Sequence, residues 1–205
     1  MPAGAAAAKL LSMFQVRIHG RGGQGVVTAA ELLSVAAFEE GRYAQAFPTF
    51  GSERTGAPVV SFCRIDDRPI RLREPIVDPD ALIVQDPTLV HQVDLFGGVP
   101  NDAFVLVNTT RSFSELGLAD VAAARRPERL LTVPATELAR EHLGRPVPNA
   151  ALLGAFAGLT AVVSLPAVAA AIRGRFPMQV AEANVAAAVA AFAAAREAAT
   201  EAVHA

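Results

Sequence analysis

The stretch FQVRIHGRGGQGVVTAAELLSVAAFEE, residues 14–40, decides the fold class. Phe14 to His19 alternates apolar and polar residues and runs into glycines, the pattern of a first β-strand. Gly25 to Glu40 carries a helical stripe of Val26, Ala29, Ala30, Leu33 and Ala37. Between them Gly20-Arg21-Gly22-Gly23-Gln24-Gly25 satisfies G-x-G-x-x-G directly after a strand and opening a helix. Glycines there permit a tight turn and close backbone approach, and the free N–H groups at the helix start favour an anion. Strand, turn and helix in that order predict an α/β domain.

Outward from the glycines, three readings of the turn stay open: a dinucleotide site, a site for another anion, and a turn that serves packing alone. A dinucleotide site wants a second strand ending in an acid about twenty positions on, to bind the ribose hydroxyls. Here Glu39 and Glu40 precede the next strand, Tyr43 to Phe47, instead of ending it. After that strand comes a loop, QAFPTFGSERTGAP at residues 45–58, too long and particular for a bare connector.

Val59 to Ile65 and Ile70 to Arg73 flank Asp66-Asp67-Arg68-Pro69 and predict an antiparallel hairpin, its mixed charges forming a solvated or interface face. Ala81 to Gln85, Ala103 to Val107 and Leu130 to Val133 are short apolar runs suited to strands buried on both faces. Helices are expected near Thr88 to Leu95 and Thr136 to His142. Past Pro148 the chain reads as wholly helical, with Asn149 as N-cap and a last helix from Met178 towards Val203. The expected architecture is a Rossmann-like three-layer α/β domain with a mostly parallel sheet, an inserted β-hairpin and an Ala-rich helical C-terminus. Residues 1–13 form an N-terminal extension and 14–205 a single domain, with an α/β core at 14–148 and a helical part at 149–205. Ligands would gather at the carboxyl ends of the strands, near His19, Gln85-Asp86, Asn108-Thr109-Thr110 and the glycine loop. Each of these also has a plainer reading: a histidine bonded to a carbonyl, or a cap on the following turn.

About half of the 205 residues are apolar and the net charge is −2, so the chain suits a compact domain and no bulk charge points to nucleic acid. Cys63 is the only cysteine, which excludes an internal disulfide and a cluster built on paired cysteines and suggests a reducing cytoplasm. Ala151 to Ile172 is uncharged, but Ala, Gly, Thr160, Ser164 and the helix-breaking Pro166 argue against a membrane span. Gly154 and Gly158 share one helix face, for packing within the chain or for a subunit interface. The four histidines are too scattered for a metal cluster, and there is no G-x-S-x-G, Walker phosphate loop or H-E-x-x-H.

Four ordered blocks, HGRGGQGVVTAAELL at 19–33, AAFEEGRYAQAFPTFGSERTGAPV at 36–59, RIDDRPIR at 64–71 and IVQDPTL at 83–89, resemble the gamma subunit of pyruvate and related 2-oxoacid:ferredoxin (acceptor) oxidoreductases. PNAALLGAFAG at 148–158 is similar as well. The resemblance implies an enzyme that decarboxylates a 2-oxoacid on thiamine diphosphate and magnesium, passes electrons through [4Fe-4S] clusters to ferredoxin or another acceptor, and transfers the acyl group to coenzyme A. Those cofactors would belong to alpha, beta and cluster-bearing partner subunits. This chain would be cytoplasmic, inactive alone and without a catalytic or metal-ligating residue of its own. Pyruvate, branched-chain, 2-oxoglutarate, indolepyruvate and phenylglyoxylate enzymes share the architecture, the blocks being nearest the pyruvate and phenylglyoxylate types.

The motif residues carried over are Gly20, Gly22, Gly23, Gln24 and Gly25, with Phe47, Pro48, Gly51, Glu53, Arg54 and Gly56. From them Gly20, Gly22, Gly23, Gln24, Gly25, Glu53 and Arg54 are the candidate cofactor-binding set. The aromatics Phe47 and Phe50 suit an interface anchor, and Glu53 and Arg54 a contact across that interface or to a coenzyme phosphate. The alternative for the loop is that it folds over its own sheet. The alternative for the whole chain is a free-standing Rossmann-like nucleotide-binding module.

Overall fold

The computed structural model describes residues 13–49 and 55–204. Most of the expected extension and Phe50, Gly51, Glu53 and Arg54 fall outside the described residues. Six strands form one sheet in the order β2-β3-β1-β4-β5-β6: β1 Phe14–Arg21, β2 Tyr43–Pro48, β3 Pro58–Asp66, β4 Ala81–Val84, β5 Phe104–Asn108 and β6 Leu130–Val133. β1, β4, β5 and β6 run parallel, whereas β3 is antiparallel to both β1 and β2.

The strands β4 and β5 are buried on both faces because their side chains alternate between two cores. Ala81, Ile83 and Leu106 point to the helical side, and Leu82, Val84, Val105 and Val107 to the other. On the helical side lie α1 Val26–Glu39, α4 Asn149–Thr160, α5 Leu165–Arg175 and α6 Met178–His204. The other side is closed by irregular segments carrying Leu89, Leu95, Leu116 and Leu118. It includes a 3-10 turn, Pro87–His91, and a short helix, α2 Ala119–Ala123. The expected helix from Thr88 to Leu95 is therefore only that turn. Asp86 caps it by accepting from the Thr88 N–H, and the β-branched and histidine residues that follow do little to extend it.

The expected hairpin of residues 59–65 with 70–73 does not form. Ile70 to Arg73 is not a strand. β3 pairs along one edge with β1 and along the other with β2, so neither edge is left for residues 70–73. Arg64 is accordingly not part of a solvated charged face. It is 2% exposed, donates from Nε to Gln15 Oε1 at 3.1 Å and from Nη2 to Glu74 O at 2.5 Å, and stacks 5.1 Å from the ring centre of Phe47. Phe47 itself lies in β2, with its ring centre 5.1 Å from that of Phe62. Packing within the chain thus occupies the first of the two expected interface aromatics.

Pro166 breaks the long uncharged run, as its missing N–H and fixed φ require. Helix α4 ends at Thr160 and α5 starts at Leu165 with Ser164 as N-cap, its hydroxyl accepting from Ala167 N. The Gly154 and Gly158 face is occupied by α6. A Cβ on Gly154 would stand 1.9 Å from Ala188 O, and one on Gly158 2.9 Å from Phe192 O. Backbones approach so closely only because hydrogens replace side chains there. Met178–Glu201 of α6 is long and apolar enough to cross a membrane by length and composition. Ala181, Val185, Ala187, Ala188, Ala191 and Ala195 on it are buried within the chain.

Candidate functional site

At the carboxyl end of β1 the chain turns through Gly22 to Gly25 into α1. Gly25 is the helix N-cap at φ 76°, a left-handed conformation that a residue with a side chain enters only at a cost. The turn is also held from outside. Gly22 N donates to Ala57 O at 2.9 Å, and Gly56 N donates to Gly22 O at 3.0 Å. The far end of the loop at 49–57 is thereby stitched to the glycines, so two motifs read separately in the sequence form one structural unit.

Arg21, the variable position within the glycine pattern, organises the surroundings. Its Nε donates to Asp86 Oδ2 at 3.1 Å, one Nη to Gly56 O at 3.0 Å, and the other to Thr88 Oγ1 at 2.8 Å and Gln92 Oε1 at 2.7 Å. Gln24 closes the ring: its Oε1 accepts from Arg21 N at 2.8 Å and its Nε2 donates to Asp86 Oδ2 at 2.7 Å. Gln85 Nε2 donates to the backbone carbonyl of Gln24. Burial alone would raise the Asp86 carboxyl. Hydrogen bonds from Thr88 and Gln24 and the charge of Arg21 outweigh it and hold the group below the usual carboxylate range.

Asp86 follows β4, the parallel neighbour of β1, and not the strand after α1 where a dinucleotide site wants its ribose-binding acid; that strand, β2, ends at Pro48. The Asp86 carboxylate is already engaged by Arg21, Gln24 and Thr88. Gly20 and Gln24 likewise serve the turn: a Cβ on Gly20 would lie 2.6 Å from Val26 Cγ2. Of the expected site residues, Gly22, Gly23, Gln24 and Gly25 face two clefts flanking the turn, and Gly20 sits behind them.

The other residues at this edge follow their plainer readings in part. Asn108 Oδ1 accepts from Thr136 N at 3.0 Å near the start of α3, Ala135–Leu143, while its Nδ2 donates to Gln85 O and Thr136 Oγ1, each at 2.8 Å. His19 makes no side-chain bond to a carbonyl among the described residues, and its Nε2 is buried without a partner. Burial, with the nearby Arg17 charge added, pushes its pKa down to about 4 against a weaker pull from Asp94. Asn149 is not an N-cap. Pro148 holds that position, and the Asn149 side chain, 3% exposed, turns towards Gly25 instead. Sequence reasoning did not single out Arg145 and Arg175, which line the larger cleft with Asn149, because they lie far from the glycines along the chain. Cys63 is fully buried in β3, where burial raises its thiol pKa, so it is not placed to ligate a cluster.

Residues 15–194 match the pyruvate ferredoxin/flavodoxin oxidoreductase family. The chain belongs to that family. It is a gamma-type chain by its relatives. It is 52% identical over 161 residues to a pyruvate synthase subunit PorC from Methanosarcina barkeri, covering 78% of this chain and 85% of that one. It is 48% identical over 180 residues to the pyruvate/ketoisovalerate oxidoreductases common subunit gamma of Pyrococcus abyssi, covering 88% and 96%. Among solved structures, the pyruvate oxidoreductase subunit PORC of Thermotoga maritima superimposes with a TM-score of 0.73 at 35% identity, over 88% of this chain and 96% of that one. This fold, an α/β sheet with an Ala-rich helical end, is therefore shared with a gamma-type subunit of this oxidoreductase family.

Proposed function

We propose that this chain works as the gamma subunit of a multi-subunit oxidoreductase that converts a 2-oxoacid to its acyl-coenzyme A, passing electrons to ferredoxin or another acceptor. One observation carries the reading: similarity extends over nearly the whole length of relatives named as subunits, while the chain has a single cysteine, too few to hold a cluster. Thiamine diphosphate, magnesium and [4Fe-4S] clusters would sit in alpha, beta and cluster-bearing companions. Residues 14–205 act as one domain in this role, since the helices from 149 onward share a core with the sheet.

The glycine turn, Gly20 to Gly25, together with Glu53 and Arg54, is the part we assign to the approach of coenzyme A or to the channel into the active site. Support comes from the stitching of residues 55–57 onto Gly22, which brings the base of that loop to the turn. Pyruvate is the favoured 2-oxoacid, with a branched-chain or aromatic substrate such as phenylglyoxylate as the other option. A free-standing dinucleotide-binding module fits less well, because the strand after α1, β2, ends at Pro48 with no acid to bind ribose hydroxyls.

The test is reconstitution. The chain alone, assayed with several 2-oxoacids and a viologen dye, should show no turnover. Tagged and expressed beside its neighbours, it should co-purify with thiamine- and cluster-bearing chains, and the assembly should turn over with coenzyme A. Full-rate oxidation by the isolated chain, or failure to capture any such companion, would overturn the reading.

A further inference from the structure

β3 and β4 are joined by residues 67–80, which form neither helix nor strand. A connection this long without regular structure is uncommon in a compact domain and is usually functional. It is nevertheless fixed in place. Side chains of β1 and β3 hold its backbone carbonyls: Arg64 Nη2 donates to Glu74 O, Arg17 Nη1 to Val77 O at 3.1 Å and Gln15 Nε2 to Asp78 O at 3.4 Å. Ile76 is buried, and Pro69, Pro75 and Pro79 remove backbone freedom along the segment. Two guanidiniums are thus buried to hold one exposed ribbon, a costly use of charge for a bare connector.

The charges of the ribbon are sorted. Each of its acids answers a group of the chain's own. Asp67 pairs with Arg42 at 3.0 Å, and Asp80 Oδ2 accepts from Gln15 N at 2.9 Å. Burial disfavours the charge on Arg64 and on Arg17; Glu74 opposes it at the first, and Asp94 and Asp78 oppose it at the second. Asp66, at the end of β3, accepts from the backbone N–H of Arg68 at 3.1 Å. The arginines of the ribbon are left over. Arg68, Arg71 and Arg73 are exposed, and their guanidiniums have no hydrogen-bond or ion-pair partner among the described residues. Leu72, 44% exposed, stands between two of them, and Val77, 65% exposed, follows. A chain of net charge −2 therefore presents here three unpaired positive charges interleaved with exposed aliphatic side chains.

We propose that residues 68–77 are a docking strip for an acidic surface of a companion chain in the oxidoreductase complex. Carboxylates of that chain pair with Arg68, Arg71 and Arg73, and apolar recesses beside them take Leu72 and Val77. The hold of Arg17 and Arg64 on the backbone serves the same end, because a ribbon already fixed loses little freedom when a partner binds. The proposal rests on the subunit reading above and adds to it the surface that is used and the sign of the charge that meets it.

Association of the full chain with its separately purified thiamine- and cluster-bearing companions, measured over a range of salt, tests it. Arg68→Glu, Arg71→Glu and Arg73→Glu together should weaken association at least about tenfold and remove most of its salt dependence. These positions are exposed, so the urea midpoint should stay in place, and the triple change to lysine should recover most of the affinity. Arg196→Glu, a reversal at an exposed arginine on α6, should change nothing. In the unaltered chain, amides of residues 68–77 should exchange hydrogen more slowly in the complex than alone. Association that the triple reversal leaves unchanged overturns the strip, as does an equal loss from Arg196→Glu or unaltered exchange at 68–77. Self-association that the reversal abolishes makes a second copy the occupant and overturns the companion. If the unaltered chain binds no companion, the subunit reading falls and the strip with it. A chain that binds its companions regardless of the reversal keeps that reading and loses the strip alone.

Discussion

Arg21 Nε stands 3.1 Å from Asp86 Oδ2, tying the end of β1 to the turn after β4. Asp86 also serves Gln24 and Thr88, so its removal strands several donors at once. Asp86→Ala should cost about 3 kcal/mol in urea unfolding, the usual price of breaking a largely buried charge pair from one side. A loss below about 1 kcal/mol would mean that water replaces the carboxylate freely.

The ion pair between Arg173 and Glu182 makes a contrast. Its bonds are short, at 2.7 and 3.0 Å, yet both side chains are about half exposed. Water and salt screen such a pair. Glu182→Gln should leave the unfolding midpoint in place, in low salt and high salt alike.

His19 sets a pH dependence. Its pKa falls from 6.5 to about 4 on folding, so the unfolded chain binds the proton more readily. Stability is full above pH 6.5 and declines as pH falls towards 4, by about 3 kcal/mol from this group. His19→Gln should flatten the curve in that window, while the acid loss due to Asp86, whose pKa is depressed, stays at lower pH. An unchanged slope between pH 6.5 and 4 would show that His19 is not responsible.

Two glycines in the helical part should respond oppositely to alanine. Gly154→Ala drives a methyl into the backbone of Ala188 and should destabilise by at least about 2 kcal/mol, through displacement of α6. Gly174, in the last turn of α5, has nothing within 4 Å of an added Cβ. Gly174→Ala should raise the melting temperature slightly, by about 0.5–1 kcal/mol of helix propensity. Equal effects at the two sites would contradict the close packing of α4 on α6.

Local pattern made most of this fold legible. Strand β1, the glycine turn and α1 are contiguous, and their period changes from 2 to 3.6 within a few residues. The short apolar runs at 81 and 103 could be read because strands buried on both faces need no alternation, whereas Leu130–Val133 is an edge strand whose burial alternates. What stayed hidden was pairing at a distance. Residues 59–65 have strand character in isolation, but that their second partner is Tyr43–Pro48 and not 70–73 depends on β3 lying between β1 and β2. The site divides in the same way. The glycines announced themselves, whereas Arg145, Asn149 and Arg175 reach the cleft only through the packing of α3, α4 and α5, which leaves no mark near residue 25.

The two bonds between Gly22 and residues 56 and 57 join a turn at the start of one helix to the base of a loop more than thirty positions away. Such a seam makes the two segments thermodynamic neighbours. A protein that gripped the loop on docking would bias the same backbone that lines the cleft, and a small molecule in the cleft would bias the loop in return, by the same factor. Assembly and ligand occupancy would then be reciprocal variables of one junction, so that a measurement of either in isolation would report only part of the affinity that the complete complex displays.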